Sequence, residues 1–299
     1  MKNIGIIGEA LIDKYNENEQ IGGASFNVAC SLSRQDNSAY FLGAISTDNR
    51  GNKIKEGLNK YQVKTNFVEE TNVPTTLAEV TLDDHKERTF VFTRGSDAYY
   101  QIKDFNFDDF NFDFIHFGSA TGFLPGELKE SYLTLKDYCL KNNIPYSFDP
   151  NFRPALWLGL DIQDYIYYVK EYLKTASVVK ISDNELLLIT KELELDKAVE
   201  KLKDLVEPTS LVAITCGCEN TIALYKNESW IVPVTPAKQL ADTTGAGDAF
   251  ASRLIHLYNQ VKPEDLNKEM ISKIVMGAND FGKDAVEHIG ALTYLDYLK

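Results

Sequence analysis

The sequence predicts an α/β fold: a mostly parallel sheet in a three-layer α/β/α sandwich, with a small β-hairpin lid. Three observations carry that expectation. Short β-branched or aromatic apolar runs alternate with amphipathic helical stretches along most of the 299 residues. Strand followed by helix, repeated, makes parallel neighbours joined by crossovers, with helices on both faces. One segment, residues 75–93, breaks the rhythm with two successive alternating runs and no helix between them.

In order, Ile4–Gly8 reads as a buried strand and Phe26–Arg34 as a helix. Tyr40–Ile45 is then a strand and Asn52–Tyr61 a helix. Thr75–Leu82 and Arg88–Thr93 alternate like exposed strands, with Asp83-Asp84-His85 as their turn, and suit a flap over a site at the strand C-termini. Phe114–Gly118, Leu128–Lys141, Pro145–Asp149 and Asp164–Lys174 resume the alternation, followed by Val178–Ser182, Ala198–Val206 and Leu211–Thr215. Two helices, Ala246–Val261 and Asp265–Asp284, close the chain. No repeat, low-complexity tract or Pro/Ser-rich linker interrupts it, so residues 1–299 are expected to form one domain with a small lid.

With 44% hydrophobic and 25% charged residues the chain is not disordered, collagenous or a coiled coil. A net charge of −13 repels nucleic acid and anionic membranes, so an anionic ligand must be captured by local dipoles, arginine or a metal. Cys30, Cys139, Cys216 and Cys218 are too scattered for a disulfide framework, and Cys216-x-Cys218 lacks the second pair that zinc needs. The first apolar run is too short for a secretory signal, and no stretch approaches the ~20 apolar residues of a membrane span. A cytoplasmic protein is expected, with neither membrane nor nucleic-acid partners.

The chemistry concentrates in Asp242-Thr243-Thr244-Gly245-Ala246-Gly247-Asp248-Ala249-Phe250, which opens a helix. Small residues at 245–247 let the backbone turn closely and present successive N–H groups, and the helix dipole adds roughly half a positive charge there. Asp248 falls in the first turn, where the same dipole favours its anion and suits it to accept a proton. No Lys follows Gly247 as a P-loop requires, Gly5-Ile6-Ile7-Gly8-Glu9-Ala10 is not a dinucleotide fingerprint, and no His-Arg-Asp loop is present. His85, His116, His256 and His288 have no metal spacing, and the aromatic runs Phe105-Asn106-Phe107 and Tyr165–Tyr168 read as packing rather than base-stacking platforms.

Asp242–Phe250 resembles the C-terminal signature of the PfkB (ribokinase-like) carbohydrate kinases, and Gly22-Gly23-Ala24-Ser25-Phe26-Asn27-Val28-Ala29 resembles their N-terminal signature. Gly8-Glu9-Ala10-Leu11-Ile12-Asp13 and Asp149-Pro150-Asn151-Phe152-Arg153-Pro154 are similar to the fructokinase and 2-keto-3-deoxygluconate kinase branch. The resemblance implies a ribokinase-like fold and an ATP-dependent sugar kinase that uses Mg²⁺. It casts Asp248 as general base, and Gly245, Ala246 and Gly247 as the anion hole. Arg153 is cast as the guanidinium bridging phosphoryl and attacking hydroxyl. Asp13, Gly23, Asn27 and the lid residue Arg94 are cast as sugar contacts. Thr215, Gly217, Gly245, Gly247 and Asn279 fall to the nucleotide, and Glu185 to water-mediated Mg²⁺. Ser182 stands where the family's Asn-x-x-Glu element has Asn, and Asn220 replaces a second glycine near Gly217. Asp242 and Thr244 stand where relatives with a K⁺ site supply ligands, and lid hairpins in relatives often pair two copies, so a homodimer through the lid is a further expectation.

The resemblance implies a lid built from about 12–22 and 75–95; only eight residues separate Asp13 from Gly22, so that lid relies more on the hairpin. Phe92 replaces a tyrosine usual in keto-deoxygluconate kinases, which removes a donor for an acid sugar. Fructose is therefore the leading substrate. The acid sugar 2-keto-3-deoxygluconate is the alternative, and a sugar- or nucleotide-binding protein without catalysis is the alternative of another class.

Overall fold

The computed structural model describes residues 1–82, 88–102 and 111–298. The turn expected at Asp83-Asp84-His85 and the run Phe105-Asn106-Phe107 lie outside them. By its contacts the chain divides into two compact units: residues 1–144 with 153–160, and residues 145–152 with 161–299.

The first unit contains β1 (Asn3–Ile7), β2 (Leu11–Tyr15), β3 (Asn18–Gly22), α1 (Ala24–Ser33), β4 (Ser38–Ser46), α2 (Asn49–Lys60), β5 (Lys64–Thr71), β6 (Leu77–Leu82), β7 (Arg88–Thr93), β8 (Phe114–Gly118) and α3 (Glu127–Asn142). Its larger sheet runs β8-β1-β4-β5, every pair parallel. Both faces of these strands carry buried side chains, Ile4, Ile6 and Ile7 on β1, Phe41 and Leu42 on β4 and Phe114 and Phe117 on β8. That is why they read as continuous apolar runs rather than alternating ones. Each such side chain contributes ~1.5–3 kcal/mol on burial.

A second sheet, ordered β3-β2-β6-β7, stands apart from it. The expected hairpin is present as the antiparallel pair β6–β7, and β2–β3 forms another, with β2 parallel to β6. The sequence reading assigned no strand to β2, β3 or β5. The β2–β3 turn rests on Asn16 at φ 53°, in a polar stretch without the apolar alternation that marks a strand. Asp48 caps α2 by accepting from Gly51 N (2.7 Å), and it also accepts from Thr75 N (2.9 Å) and Thr75 Oγ1 (2.7 Å), fastening the helix to the segment before β6.

The second unit contains β9 (Tyr146–Asp149), α4 (Ile162–Leu173), β10 (Val178–Ser182), α5 (Asp183–Thr190), α6 (Leu195–Lys203), β11 (Leu211–Thr215), β12 (Thr221–Tyr225), β13 (Glu228–Val232), α7 (Ala246–Tyr258) and α8 (Lys268–Val286). Strands β9, β10 and β11 are parallel, and β12 and β13 extend the sheet antiparallel. Helices α7 and α8 pack together, burying Phe250, Leu254 and Ile255 on one and Ile271, Ile274 and Val275 on the other. α5, β12 and β13 were not expected, and α8 begins at Lys268, capped by Asn267, rather than at Asp265. Among the described residues, no helix is long and apolar enough to cross a membrane.

Burial works against ionisation of Asp48, but the Thr75 hydroxyl and amide and the Gly51 amide prevail and hold its carboxyl down at about 2. The interaction is therefore complete above the unfolded-chain value near ~3.9 and is lost as pH falls through 2. Asp48→Ala is expected to lower unfolding free energy by ~1–2 kcal/mol at pH 7, and urea titrations should show that deficit shrinking between pH 4 and pH 2.

Candidate active site

Helix α7 starts where the sequence placed its anion hole. Gly245 is the N-cap at φ 78°, and a Cβ there would lie 2.7–2.9 Å from the Cβ, Cα and O of Ala291, so only glycine fits both the conformation and the space. The preceding loop is clipped in place by Asp242. Its Oδ1 accepts from Thr244 N (2.9 Å) and Oγ1 (2.7 Å), and its Oδ2 accepts from Gly290 N (3.1 Å). Ala246 N donates to Thr243 O at 3.3 Å, while Gly247 and Asp248 follow in the first turn. Asp248 stands in that turn, half-buried.

Beside that turn lies a cluster of charge. Lys180 Nζ, on β10, sits 3.1 Å from Asp149 Oδ2 and 3.2 Å from Oδ1 at the end of β9. Burial, with Glu185 and Asp248 adding like charge, pushes the Asp149 carboxyl up to about 6 even against Lys180. Burial would depress Lys180, but Asp149, Glu185 and Asp248 together hold its ammonium above the ordinary range. At neutral pH the pair is ionic.

Glu185 is also buried and forms a capping box with Ser182 at the start of α5: Ser182 Oγ accepts from Glu185 N, and Glu185 Oε2 accepts from Ser182 N at 2.8 Å. Its Oε1 accepts from Phe152 N at 2.7 Å. Burial alone would raise its carboxyl, but Lys180 and the Ser182 and Phe152 amides hold it below the usual range. An ionised carboxylate with one backbone donor on each oxygen keeps lone pairs for water, which suits a hard cation held through its hydration shell. As an N-cap, Ser182 is as favourable as the asparagine that the resemblance implies at this position.

Of the residues expected at the nucleotide, Thr215 ends β11 opposite Ser182, and Gly217 turns the chain at φ 60° in an open loop. Asn279 is buried: its Oδ1 accepts from Thr221 Oγ1 (2.7 Å) and its Nδ2 donates to Pro233 O (3.3 Å).

The first unit brings three of its sugar candidates together. The Asp13 carboxylate on β2 leans over Gly22 at the end of β3, its Cγ 2.9 Å from where a Gly22 Cβ would stand. Gly23 then caps α1 at φ 105°, pressed so closely on Glu9 O that a Cβ would come within 2.7 Å of it. Asn27 follows one turn on, its N donating to Gly23 O at 2.9 Å. Arg94 is anchored within the protein, its Nε on Asp97 Oδ2 (3.2 Å), Nη1 on Pro125 O (2.5 Å) and Nη2 on Thr121 O (3.2 Å). Arg153 is exposed at the N-cap of a 3₁₀ turn, Pro154–Trp157, that lies against β7.

A profile of the pfkB family carbohydrate kinases matches residues 8–291. The chain belongs to that family. It is 27% identical over 303 residues to a fructokinase of Vibrio alginolyticus, covering 99% of this chain and 96% of the relative. A fructokinase of Xylella fastidiosa, solved with bound ATP, superposes with a TM-score of 0.86 at 26% identity, over 98% of this chain and 94% of that one. A double mutant of the Vibrio cholerae O395 fructokinase, solved with fructose, ADP and potassium ion, gives 0.83 at 25% identity, over 99% and 95%. The ribokinase-like α/β fold expected from the sequence is thus the fold present, and the protein is a carbohydrate kinase, a phosphotransferase with an alcohol group as acceptor.

Two groups at the heart of these arrangements escaped the sequence reading. Lys180 interrupts an apolar strand, Val178-Val179-Lys180-Ile181, and that interruption was the available signal. Glu9 was read only as part of a motif, yet its Oε1 accepts from Ala24 N (2.7 Å) and Ser25 N (3.4 Å), fixing the start of α1 beneath Gly23. Burial, with Asp97 adding negative charge, pushes the Glu9 carboxyl up to about 7 from 4.5. The folded protein therefore holds a proton there that the unfolded chain releases, so this group's contribution is full below pH 4.5 and declines as pH rises to 7. Glu9→Gln keeps the acceptor and removes the charge. Its stability relative to wild type should rise by up to ~3 kcal/mol between pH 5 and pH 7.5 in urea titrations, and a pH-independent difference would contradict the buried charge.

Proposed function

We propose that the protein transfers the γ-phosphoryl group of ATP to a primary hydroxyl of fructose. The observation that carries this reading is Asp248 in the first turn of α7, directly behind the left-handed Gly245 and beside the buried ammonium of Lys180. The fructokinase relatives support it. In the first unit, Asp13 accepts hydrogen bonds from sugar hydroxyls, with Gly23 and Asn27 shaping the same pocket. A carboxylate accepts several hydroxyl donors at once. In the second unit, Asp248 takes the proton of the attacking hydroxyl. The N–H groups at the start of α7 stabilise the charge on the phosphoryl group, and Arg153 supplies a guanidinium to its oxygens. ADP leaves as the new P–O bond forms.

Glu185 is the residue that fits Mg²⁺, through water. Bound there, the ion would neutralise phosphate charge. Thr215 and Gly217 fall to the nucleotide's phosphate and ribose. Asp242 and Thr244 hold each other in the loop before α7, and a K⁺ contribution from that loop is part of the proposal, in line with the potassium-bound fructokinase.

A neutral sugar is favoured over 2-keto-3-deoxygluconate for two reasons. Three donors of Arg94 serve protein acceptors, which disfavours its use as a carboxylate clamp. Phe92 offers no hydroxyl to an acid. ADP release with Mg·ATP should therefore show kcat/KM for fructose at least ~10-fold above that for 2-keto-3-deoxygluconate, ribose or adenosine, a preference one to two polar contacts can produce. Preference for the acid would reverse the assignment of the lid. Asp248→Asn should lower kcat by ~10²–10⁴-fold while leaving KM for fructose within a factor of a few. Near-normal turnover in that variant is incompatible with Asp248 as the base.

A further inference from the structure

Lys180 lies on β10 between Val179 and Ile181, both fully buried, and its own side chain is only 12% exposed. Its neighbour in register on β11 is Ala213, which brings no charge. Among the described residues, the charged groups that act on it are Asp149 from β9, at 3.1 Å, Glu185 from α5 and Asp248 from α7. Asp149 Oδ1 also accepts from Asn151 N at 3.2 Å, so the carboxylate that grips the ammonium is itself held from the backbone. The ammonium nitrogen is 3.4 Å from where a Cβ on Gly247 would stand, which puts its charge against the first turn of α7, one residue before Asp248. A buried ion pair is a poor way to gain stability, because well-packed apolar residues do as well or better. The fold therefore gives no reason of its own for an ammonium at this place.

We infer that Lys180 is a positioning residue for phosphoryl transfer: clamped by Asp149, it sets a fixed positive charge against the start of α7 that orients the Asp248 carboxylate and admits an anionic phosphoryl group beside it. The inference rests on the reading of Asp248 as the base. Without Lys180, the carboxylates of Asp149, Glu185 and Asp248 would lose the buried ammonium that acts on all three.

The test compares Lys180→Met, Lys180→Arg and the double variant Asp149→Asn/Lys180→Met, by thermal melting and by ADP release with Mg·ATP and fructose. Lys180→Met should lose at least ~100-fold in kcat, the scale of one lost oxyanion donor, with KM for fructose within threefold. It should also melt lower, because the buried Asp149 carboxylate loses its ammonium counter-charge. The double variant removes both charges and should regain the melting temperature while kcat stays low. Recovery of kcat together with the melting temperature would reduce the pair to a structural role and overturn the inference. If the double variant does not regain its melting temperature, Lys180→Arg decides: kcat at least tenfold above Lys180→Met supports the fixed charge, and equal kcat contradicts it. A wild-type protein silent on fructose, 2-keto-3-deoxygluconate, ribose and adenosine would fail the kinase substrate reading instead, and that outcome is distinct from either result for Lys180.

Discussion

A carbohydrate kinase of net charge −13 has to create positive potential locally, and on the proposed reading it does so at the start of α7. Two devices converge there. The backbone device is the helix N-terminus, exposed by a left-handed Gly245 that no other residue can replace against Ala291. The side-chain device is Lys180, buried and gripped by Asp149. Much of the surrounding unit serves to keep these two in register. Asp242 ties the loop before α7 to Thr244 and Gly290, and the Ser182–Glu185 capping box starts α5 directly after the strand that carries Lys180. Through Phe152, Glu185 also holds the backbone that leaves β9.

The role proposed for the first unit is a different one, to shape a rim of loops rigidly enough to select a small polar ligand. The unit uses buried acids as backbone clamps. Glu9 receives the first amides of α1, and Asp97, fully buried, accepts from the Thr76 hydroxyl and from Arg94. Thr76 Oγ1 in turn accepts from Gly95 N at 2.8 Å, and Arg94 reaches on to the carbonyls of Thr121 and Pro125. Buried carboxylates carry a desolvation cost and persist only where several donors meet them. Here they define where Gly23 and the strands β2 and β6 lie. Arg94 thus does mechanical work within its unit that its position on a hairpin did not suggest.

Much of this was legible in the sequence, for physical reasons that differ from element to element. The parallel strands are buried on both faces, so their apolar runs stood out, and α7 announced itself through its glycines and Asp248. The pair β6–β7 was visible because its alternation broke the βα rhythm. The hairpin β12–β13 was not, because its turn places Lys226 and Asn227 at φ 49° and 61° without a glycine to signal it. Helix α5 carried a Ser-x-x-Glu start at Ser182, but it is short and directly follows a strand, and the motif was read for metal rather than for capping. Lys180 was hidden for another reason. A lysine in an apolar run ordinarily marks an exposed position, and only the three-dimensional placing of Asp149 shows what neutralises it.

The central claim is that the start of α7 and Asp248 direct a phosphoryl group to a sugar alcohol rather than to water. It is tested most directly by following wild-type protein, Mg·ATP and fructose by phosphorus NMR with proton coupling retained. The γ-phosphate signal of ATP is expected to be replaced by one phosphomonoester resonance split by two methylene protons, the mark of a primary hydroxyl. Inorganic phosphate as the sole product, or a phosphomonoester coupled to a single proton, would contradict it.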